Sequence, residues 1–275
     1  MRFGHPDSAR LLLIHADDFG MSHSVNRATM LAFENRWITS ASVMVTCPWF
    51  PEAAKFAREH PEADVGVHLT LNSEWTGFRW GPVAPHERVS SLLDADGYLP
   101  LLESEVIERA RVAEVEIEIS AQIEKAQRAG IVATHFDSHM LTLFGTPEMF
   151  SAYLSLGRIH GVPVRVGTPP PFARGEIVSL LDGVCEVTPA VPSDQWLEGY
   201  KKMLAALPPG SYQLTVHLGF DDEEMRGATS NHPNWGAAWR QRDLDLVGSA
   251  EFRTFLDDEG FVLVSWRDLA RAVVS

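Results

Sequence analysis

The chain has 275 residues, 45% hydrophobic and 22% charged, ordinary values for a globular protein and room for one α/β barrel. Its 37 acidic against 23 basic residues give a formal charge of −14, which repels phosphate backbones and excludes nucleic acid as an expected partner. The opening "MRFGHPDSAR" has no apolar signal core, no membrane-length apolar run follows, and Cys47 and Cys185 are too few for a disulfide framework, so a cytoplasmic protein with reduced thiols is expected.

In chain order, the short apolar run "RLLLIHAD" (10–17) predicts a first strand, and Ser22 or Ser24 can cap the helix that follows. "TSASVMVT" (39–46) alternates and is β-branched, which predicts a second strand. Pro51 opens a helix, and "DVGVHLTL" (64–71) predicts a third strand. Residues 72–100 lapse into Gly, Pro, Trp and Ser, a long excursion of the kind that carries function or minor structure of its own. A charged helix is predicted over 104–128, closed by Gly130. "IVATHFD" (131–137) predicts a fourth strand, Pro147 starts a helix to about His160, and "VPVRVG" (162–167) predicts a fifth strand. After the turn-rich "TPPPFARGE" come a helix over "SDQWLEGYKKMLAAL", a sixth strand in "SYQLTVHLG", a seventh in "GFVLVSW" and a short last helix. No internal repeat or low-complexity linker interrupts 1–275, which predicts one domain. Strands alternating with helices imply a parallel sheet with right-handed crossovers, and we expect it to close as a deformed parallel (β/α) barrel of about seven strands, similar to a TIM barrel.

In such a barrel, chemistry sits at the C-terminal ends of the strands. The polar residues gather there: Asp17 and Asp18 after the first strand, His68 in the third, and His135, Asp137 and His139 after the fourth. Arg165 lies in the fifth and His217 in the sixth. The "DFG" at Asp18 is no kinase motif, because the Gly-rich loop, strand lysine and HRD loop that precede one have no room in 17 residues. A histidine alone on a strand is more often a hydrogen-bonded core residue than a ligand, and "DDFG" alone could be a capping turn. Asp and His from several strands on one rim suit a divalent cation, with imidazole favouring Zn, Ni or Co. One Asp with two His leaves positions open for water and substrate.

"LLLIHADDFGMSHSVNRAT", "TSASVMV", "VGVHLTL", "THFDSH" and "VHLGFDD" resemble, in order and spacing, the motifs of the YdjC-like (ChbG) carbohydrate deacetylases. "DADGYLP" and "WRQRDLDLV…SAEF" extend the resemblance over most of the chain. It implies a deformed barrel, one divalent metal ion (Mg or Zn foremost, Ni or Co as alternatives) and removal of acetyl from an N-acetylated sugar. It further implies Asp18, His68 and His139 as metal ligands, Asp17 as general base and His217 as general acid. The chain departs from the pattern where many members read N-A-D-D and this one His15-Ala16-Asp17-Asp18. It departs again where many continue DSHxHxH and this one reads "DSHMLTL", which alters the pocket floor.

Asp137 and His135 are then expected to orient the metal-binding imidazoles, and Arg165 to hold Asp17 ionised. Trp75, Phe78 and Trp80 in the excursion are candidates to stack on a sugar ring, or else to pack the loop on the barrel. The expected partners are a small N-acetylated carbohydrate and at most a second copy in a homodimer, with no membrane. The competing readings are a metal-dependent hydrolase of a cyclic amide or phosphoester, and a non-catalytic sugar- or metal-binding protein. A phosphoester would call for a basic pocket, whereas the rim offers little beyond Arg165 and Arg174; mere binding would need neither Asp17 nor His217.

Overall fold

The computed structural model describes residues 3–173 and 179–274. Seven parallel strands form one sheet: β1 (Arg10–Phe19), β2 (Ser40–Val43), β3 (Val65–Leu69), β4 (Phe136–Ser138), β5 (Gly183–Cys185), β6 (Gly210–Val216) and β7 (Phe261–Leu263). The order is β4-β3-β2-β1-β6-β5, and β7 shares one edge of β1 with β2, pairing Arg10–Leu12 below the point where β2 takes over at His15. Between strands run α1 (His23–Glu34), α2 (Phe50–Glu59), α3 (Glu103–Arg109), α4 (Val112–Arg128), α5 (Pro147–His160), α6 (Trp196–Ala205), α7 (Glu223–Ala228), α8 (Ala237–Gly248), α9 (Ala250–Asp258) and α10 (Trp266–Val274). None of the helices is long and apolar enough to cross a membrane. Cys47 and Cys185 are free and buried.

The sheet curls into the expected deformed barrel, but the fifth strand differs from its sequence assignment. Residues 162–167 form only a single parallel bridge, Val164 to Phe136, with Phe136 N–H donating to Pro163 O and Arg165 N–H to Phe136 O. Pro163 has no N–H to donate, which limits a longer ladder. The strand that pairs with β6 is Gly183–Cys185. Gly167 meets Val184 so closely that a Cβ would lie 2.4 Å from its methyl, and Ser179 Oγ–H donates to Val166 O, so the barrel is closed on this side by packing and a side-chain hydrogen bond rather than by a strand ladder. The fourth strand is shorter than predicted, beginning only at Phe136. The charged helix is two helices, because Arg111 N–H donates to Ser91 Oγ (2.9 Å) and the backbone at Ala110 and Arg111 is extended. Ser22 is the N-cap of α1, accepting from Val25 N–H at 3.1 Å.

The period-2 alternation of β1 sorts its residues. Leu12, Ile14 and Ala16 join the large core between sheet and helices, while Leu11 and Leu13 pack with Leu181, Val264, Trp266 and Leu269 in a smaller cluster. His15 and Asp17 continue the Leu11–Leu13 face upward. One strand face therefore runs from an apolar plug to charged groups. His135 lies flat on Trp266 (centroids 4.9 Å, 17° between planes) at that transition, and only a glycine at 66 leaves it room, since a Cβ there would meet the ring at 2.4 Å.

Candidate active site

The regular register between β1 and β2 breaks between Ala16 and Phe19, and Asp18 adopts φ +68°. In an undisturbed strand Asp17 and Asp18 would face opposite sides of the sheet. The bulge and the left-handed residue bring both carboxylates to one cavity. That conformation costs a non-glycine residue roughly 1–2 kcal/mol and persists where surroundings hold it. The buried Arg240 does so from α8, its Nη2–H donating to Asp18 Oδ2 at 2.7 Å. Burial pushes the Asp18 carboxyl up, but the Arg240 charge and then the nearby His139 and His217 imidazoles outweigh it and hold the group well below the usual carboxylate range.

The other Asp18 oxygen, Oδ1, is buried without a hydrogen-bond partner. It lies 3.5 Å from His68 Nε2 and 3.4 Å from His139 Nδ1, and those two nitrogens are 3.2 Å apart. Each imidazole has its far nitrogen engaged by a carboxylate. His68 Nδ1–H donates to Asp137 Oδ1 (2.8 Å) and His139 Nε2–H to Glu74 Oε2 (3.1 Å). With the far nitrogens so engaged, the neutral imidazoles would aim two nitrogen lone pairs, with one carboxylate oxygen, at a common centre. Donors bonded to one divalent ion at about 2.0–2.2 Å stand roughly 3.0–3.5 Å apart, so the triangle fits such an ion. The imidazoles themselves demand positive charge: burial lowers the pKa of His139, yet Glu74 and Asp18 lift it to about 10.

Beneath this triangle lies a second polar layer, positioned by strand register. Pairing of His68 with Asp137 across β3 and β4 places that carboxylate behind the imidazole, and pairing of His15 with Ser40 places the hydroxyl 2.7 Å from His15 Nδ1. Ser42 Oγ–H donates to Asp137 Oδ2 at 2.7 Å. His15 Nε2 is 3.1 Å from both Asp137 Oδ2 and Asp17 Oδ1. Burial disfavours a charged His15, but hydrogen bonds to Asp137 and Asp17 raise it to about 9. Asp17 is thereby held below its ordinary range against its own burial, by the His68 charge and then the His15 hydrogen bond. Its Oδ2 stands 3.9 Å from both His68 Nε2 and His217 Nε2, at the centre of the cavity floor.

His217 follows β6. Its backbone N–H donates to Asp243 Oδ2 (2.9 Å), and Asp243 Oδ1 accepts from Trp196 Nε1–H and Tyr200 O–H. The ring packs on Trp239 (centroids 4.8 Å), with Nδ1 3.4 Å from Glu186 Oε1. Burial lowers His217 to about 4, despite Asp18 and Asp17, whereas burial and then the Asp17 charge raise Glu186 to about 7.

A family model described as YdjC-like protein matches residues 11–258. The chain belongs to the YdjC-like family. It is 32% identical over 277 aligned residues to a carbohydrate deacetylase of Thermus thermophilus, covering 96% of this chain and 95% of the relative. A carbohydrate deacetylase of Thermoanaerobacter pseudethanolicus is 25% identical, over 94% of this chain and 98% of that protein. Among solved structures, an Enterococcus faecalis protein proposed to cleave cellobiose-phosphate superposes with a TM-score of 0.81 at 26% identity, over 95% and 99% of the two chains.

In this YdjC-like chain the floor opens into a cavity of about 390 Å³. Asp17, Asp18, His68, His139, Arg165 and His217 all line it, as do Glu74, Glu186 and Arg240, which sequence reasoning had not singled out. Arg240 lies within the "WRQRDLDLV" segment, but nothing in that helix signals a partner 222 residues away. Among the described residues Arg165 forms no ion pair with Asp17, and its Nε is buried without a hydrogen-bond partner. Asp137 stands behind His68, accepting from its Nδ1. His135 lies one layer deeper, its Nδ1 3.0 Å from Thr134 Oγ1 and 3.7 Å from Asp64 Oδ1, and touches the site through the edge of His15. Of the three excursion aromatics only Trp75 lines the cavity, under the Arg240 guanidinium (5.2 Å). Trp80 is buried, donating from Nε1 to Asn72 O, and Phe78 packs on the core. Trp235 and Trp239 supply the opposite wall. Arg174 lies outside the described residues.

Proposed function

We propose that this chain is a divalent-metal-dependent carbohydrate N-deacetylase. The observation that carries the reading is the convergence of Asp18 Oδ1, His68 Nε2 and His139 Nδ1, three atoms able to ligate a metal and 3.2–3.5 Å apart, on the floor of a cavity that also holds Asp17 and His217. The names of the relatives, carbohydrate deacetylases at up to 33% identity, support a sugar amide as the bond attacked.

Asp18, His68 and His139 would hold the ion, and Glu74, Asp137 and Arg240 fix their orientation. A divalent ion there would polarise the acetyl carbonyl and lower the pKa of water. Asp17 is ionised and between His68 and His217, so it can take the proton from the attacking water. His217 faces the same space from the opposite wall and protonates the leaving sugar nitrogen. A buried imidazole near 4 is neutral at rest, and Glu186, at about 7 and against His217 Nδ1, is the neighbour that can supply the second proton. Buried Trp75 and Trp239 exclude water from the walls, and with the exposed Trp235 they present flat faces to a sugar ring.

The test is acetate release from a panel of N-acetylated mono- and disaccharides, with and without phosphate, after chelation and metal add-back. Activity that disappears on chelation and returns with one equivalent of metal supports the reading. Acetate release indifferent to chelation overturns the metal's role, and no release from any sugar overturns the substrate class.

A further inference from the structure

Four of the ten large hydrophobic side chains exposed among the described residues surround one cavity: Leu102 (50% exposed), Leu141 (48%), Met140 (43%) and Trp235 (37%). They come from three separate segments, so no single amphipathic element accounts for their gathering. Met140 and Leu141 are also consecutive left-handed residues, at φ 48° and 55°, immediately after His139. Glycine or asparagine fills that conformation at least cost. Two bulky apolar residues are instead held in it at the mouth of the site, Asn72 Nδ2 lying 2.9 Å from the Met140 sulfur.

The cavity therefore has two chemistries. Its floor is charged and hydrogen-bonded. Among the described residues its rim is mainly apolar, with the Trp235 indole and the half-buried His232 imidazole as the polar groups beside Leu102, Met140 and Leu141. Sugar hydroxyls placed against Leu102, Met140 and Leu141 would lose water without gaining partners, which is unfavourable for each unsatisfied group. An alkyl or aromatic group there gains from leaving water and covers side chains that are otherwise wet.

We propose that the substrate is an N-acetylated glycoside with an apolar aglycone, the sugar reaching the floor and the aglycone lying on the Leu102–Met140–Leu141–Trp235 rim. This rests on the deacetylase reading and narrows its substrate class. The bond broken is still the acetyl amide, with water supplying OH to acetate and H to the amine, and the aglycone is retained.

The test compares methyl and octyl β-glycosides of N-acetylglucosamine and N-acetylgalactosamine on the metal-loaded protein, below the concentration at which the octyl compounds self-associate. We expect kcat/KM to be at least about tenfold higher for octyl, carried mainly by KM, since the longer chain takes more apolar surface out of water. In Leu102→Asn/Leu141→Asn, and in Leu102→Ser alone, the octyl-to-methyl ratio should fall toward unity. Calorimetry with octyl and methyl β-glucoside, which have no acetyl to lose, reads the rim without turnover; octyl should bind at least about tenfold more tightly. Acetate release with equal kcat/KM for both chain lengths overturns this inference and leaves the deacetylase reading standing. Tighter octyl binding with no acetate from either sugar supports the apolar rim and overturns the deacetylase reading. A dimer that dissociates in the double variant, with no chain-length effect, assigns the rim to a second copy and overturns the inference.

Discussion

Asp17, Asp18, His68 and His139 on the cavity floor are each 6% exposed or less and sit among several named polar partners, whereas Leu102, Met140 and Leu141 on the rim are 43–50% exposed and almost free of them. The floor groups come from the ends of hydrogen-bonded strands or just past them, and their partners follow from register: His68 beside Asp137, His15 beside Ser40. The rim groups come from connections, where no ladder fixes position. The difference separates two tasks. On the proposed reading, the floor of interlocked charges determines whether the reaction runs, and the rim of loosely constrained apolar groups determines what is presented to it.

The strongest challenge to that division is Asp18→Asn. The change places a neutral amide against Arg240 and removes the anionic donor of the triangle, so metal stoichiometry should drop well below one and activity should be lost. A variant retaining full metal and activity within a few-fold of wild type would falsify the floor assignment. Asp17→Asn and His217→Gln should behave differently from it. Both should keep metal, measured on the same purified samples by elemental analysis, while kcat falls roughly 10²–10⁴-fold. Equal metal loss in Asp17→Asn and Asp18→Asn would mean that the two carboxylates share one role. The assignment also has a crystallographic check: an anomalous map of loaded protein should show one peak about 2.0–2.3 Å from Asp18, His68 and His139.

A smaller effect is expected one bond further out. Glu74→Gln leaves all three ligands in place but removes the carboxylate that fixes the His139 tautomer, so metal affinity should weaken about 10–100-fold. A chelator competition titration reads this directly, and an unchanged affinity would show that His139 is oriented without Glu74.

The smallest effect concerns the support of His217. Burial raises Asp243 to about 7, from an ordinary value of 3.8, despite the hydrogen bonds from His217 N–H, Tyr200 and Trp196. A folded pKa above the unfolded one contributes stability that is fully present below about pH 3.8 and is lost as pH rises through about 7. Melting temperatures of the wild type should therefore decline over that window relative to Asp243→Asn, whose curve should be flatter there. Parallel curves would mean that Asp243 ionises in the folded protein as readily as in the unfolded chain.

How far the sequence speaks for this molecule follows from the range of the forces involved. Short apolar runs and period-2 alternation are local, so "RLLLIHAD", "TSASV" and "VGVHL" announced strands that the sheet contains, and the alternation of helix with strand implied parallel pairing. Once strands are parallel, their C-terminal ends meet on one rim, which made Asp17, Asp18, His68, Asp137, His139 and His217 legible as neighbours despite their separation in the chain. Tertiary structure decided the rest. Residues 162–167 read as a strand, but Pro163 and the approach of Gly167 to Val184 leave them a single bridge that closes the barrel by packing. Asp17 and Asp18 face one cavity only because of a bulge and a left-handed residue, and Arg240 stabilises that turn from a helix 222 positions downstream. Glu74, Glu186 and the apolar rim likewise lie on connections or beyond strand ends. A side chain that acts through one distant partner leaves no period in the sequence; its role exists only once folding has brought the two together.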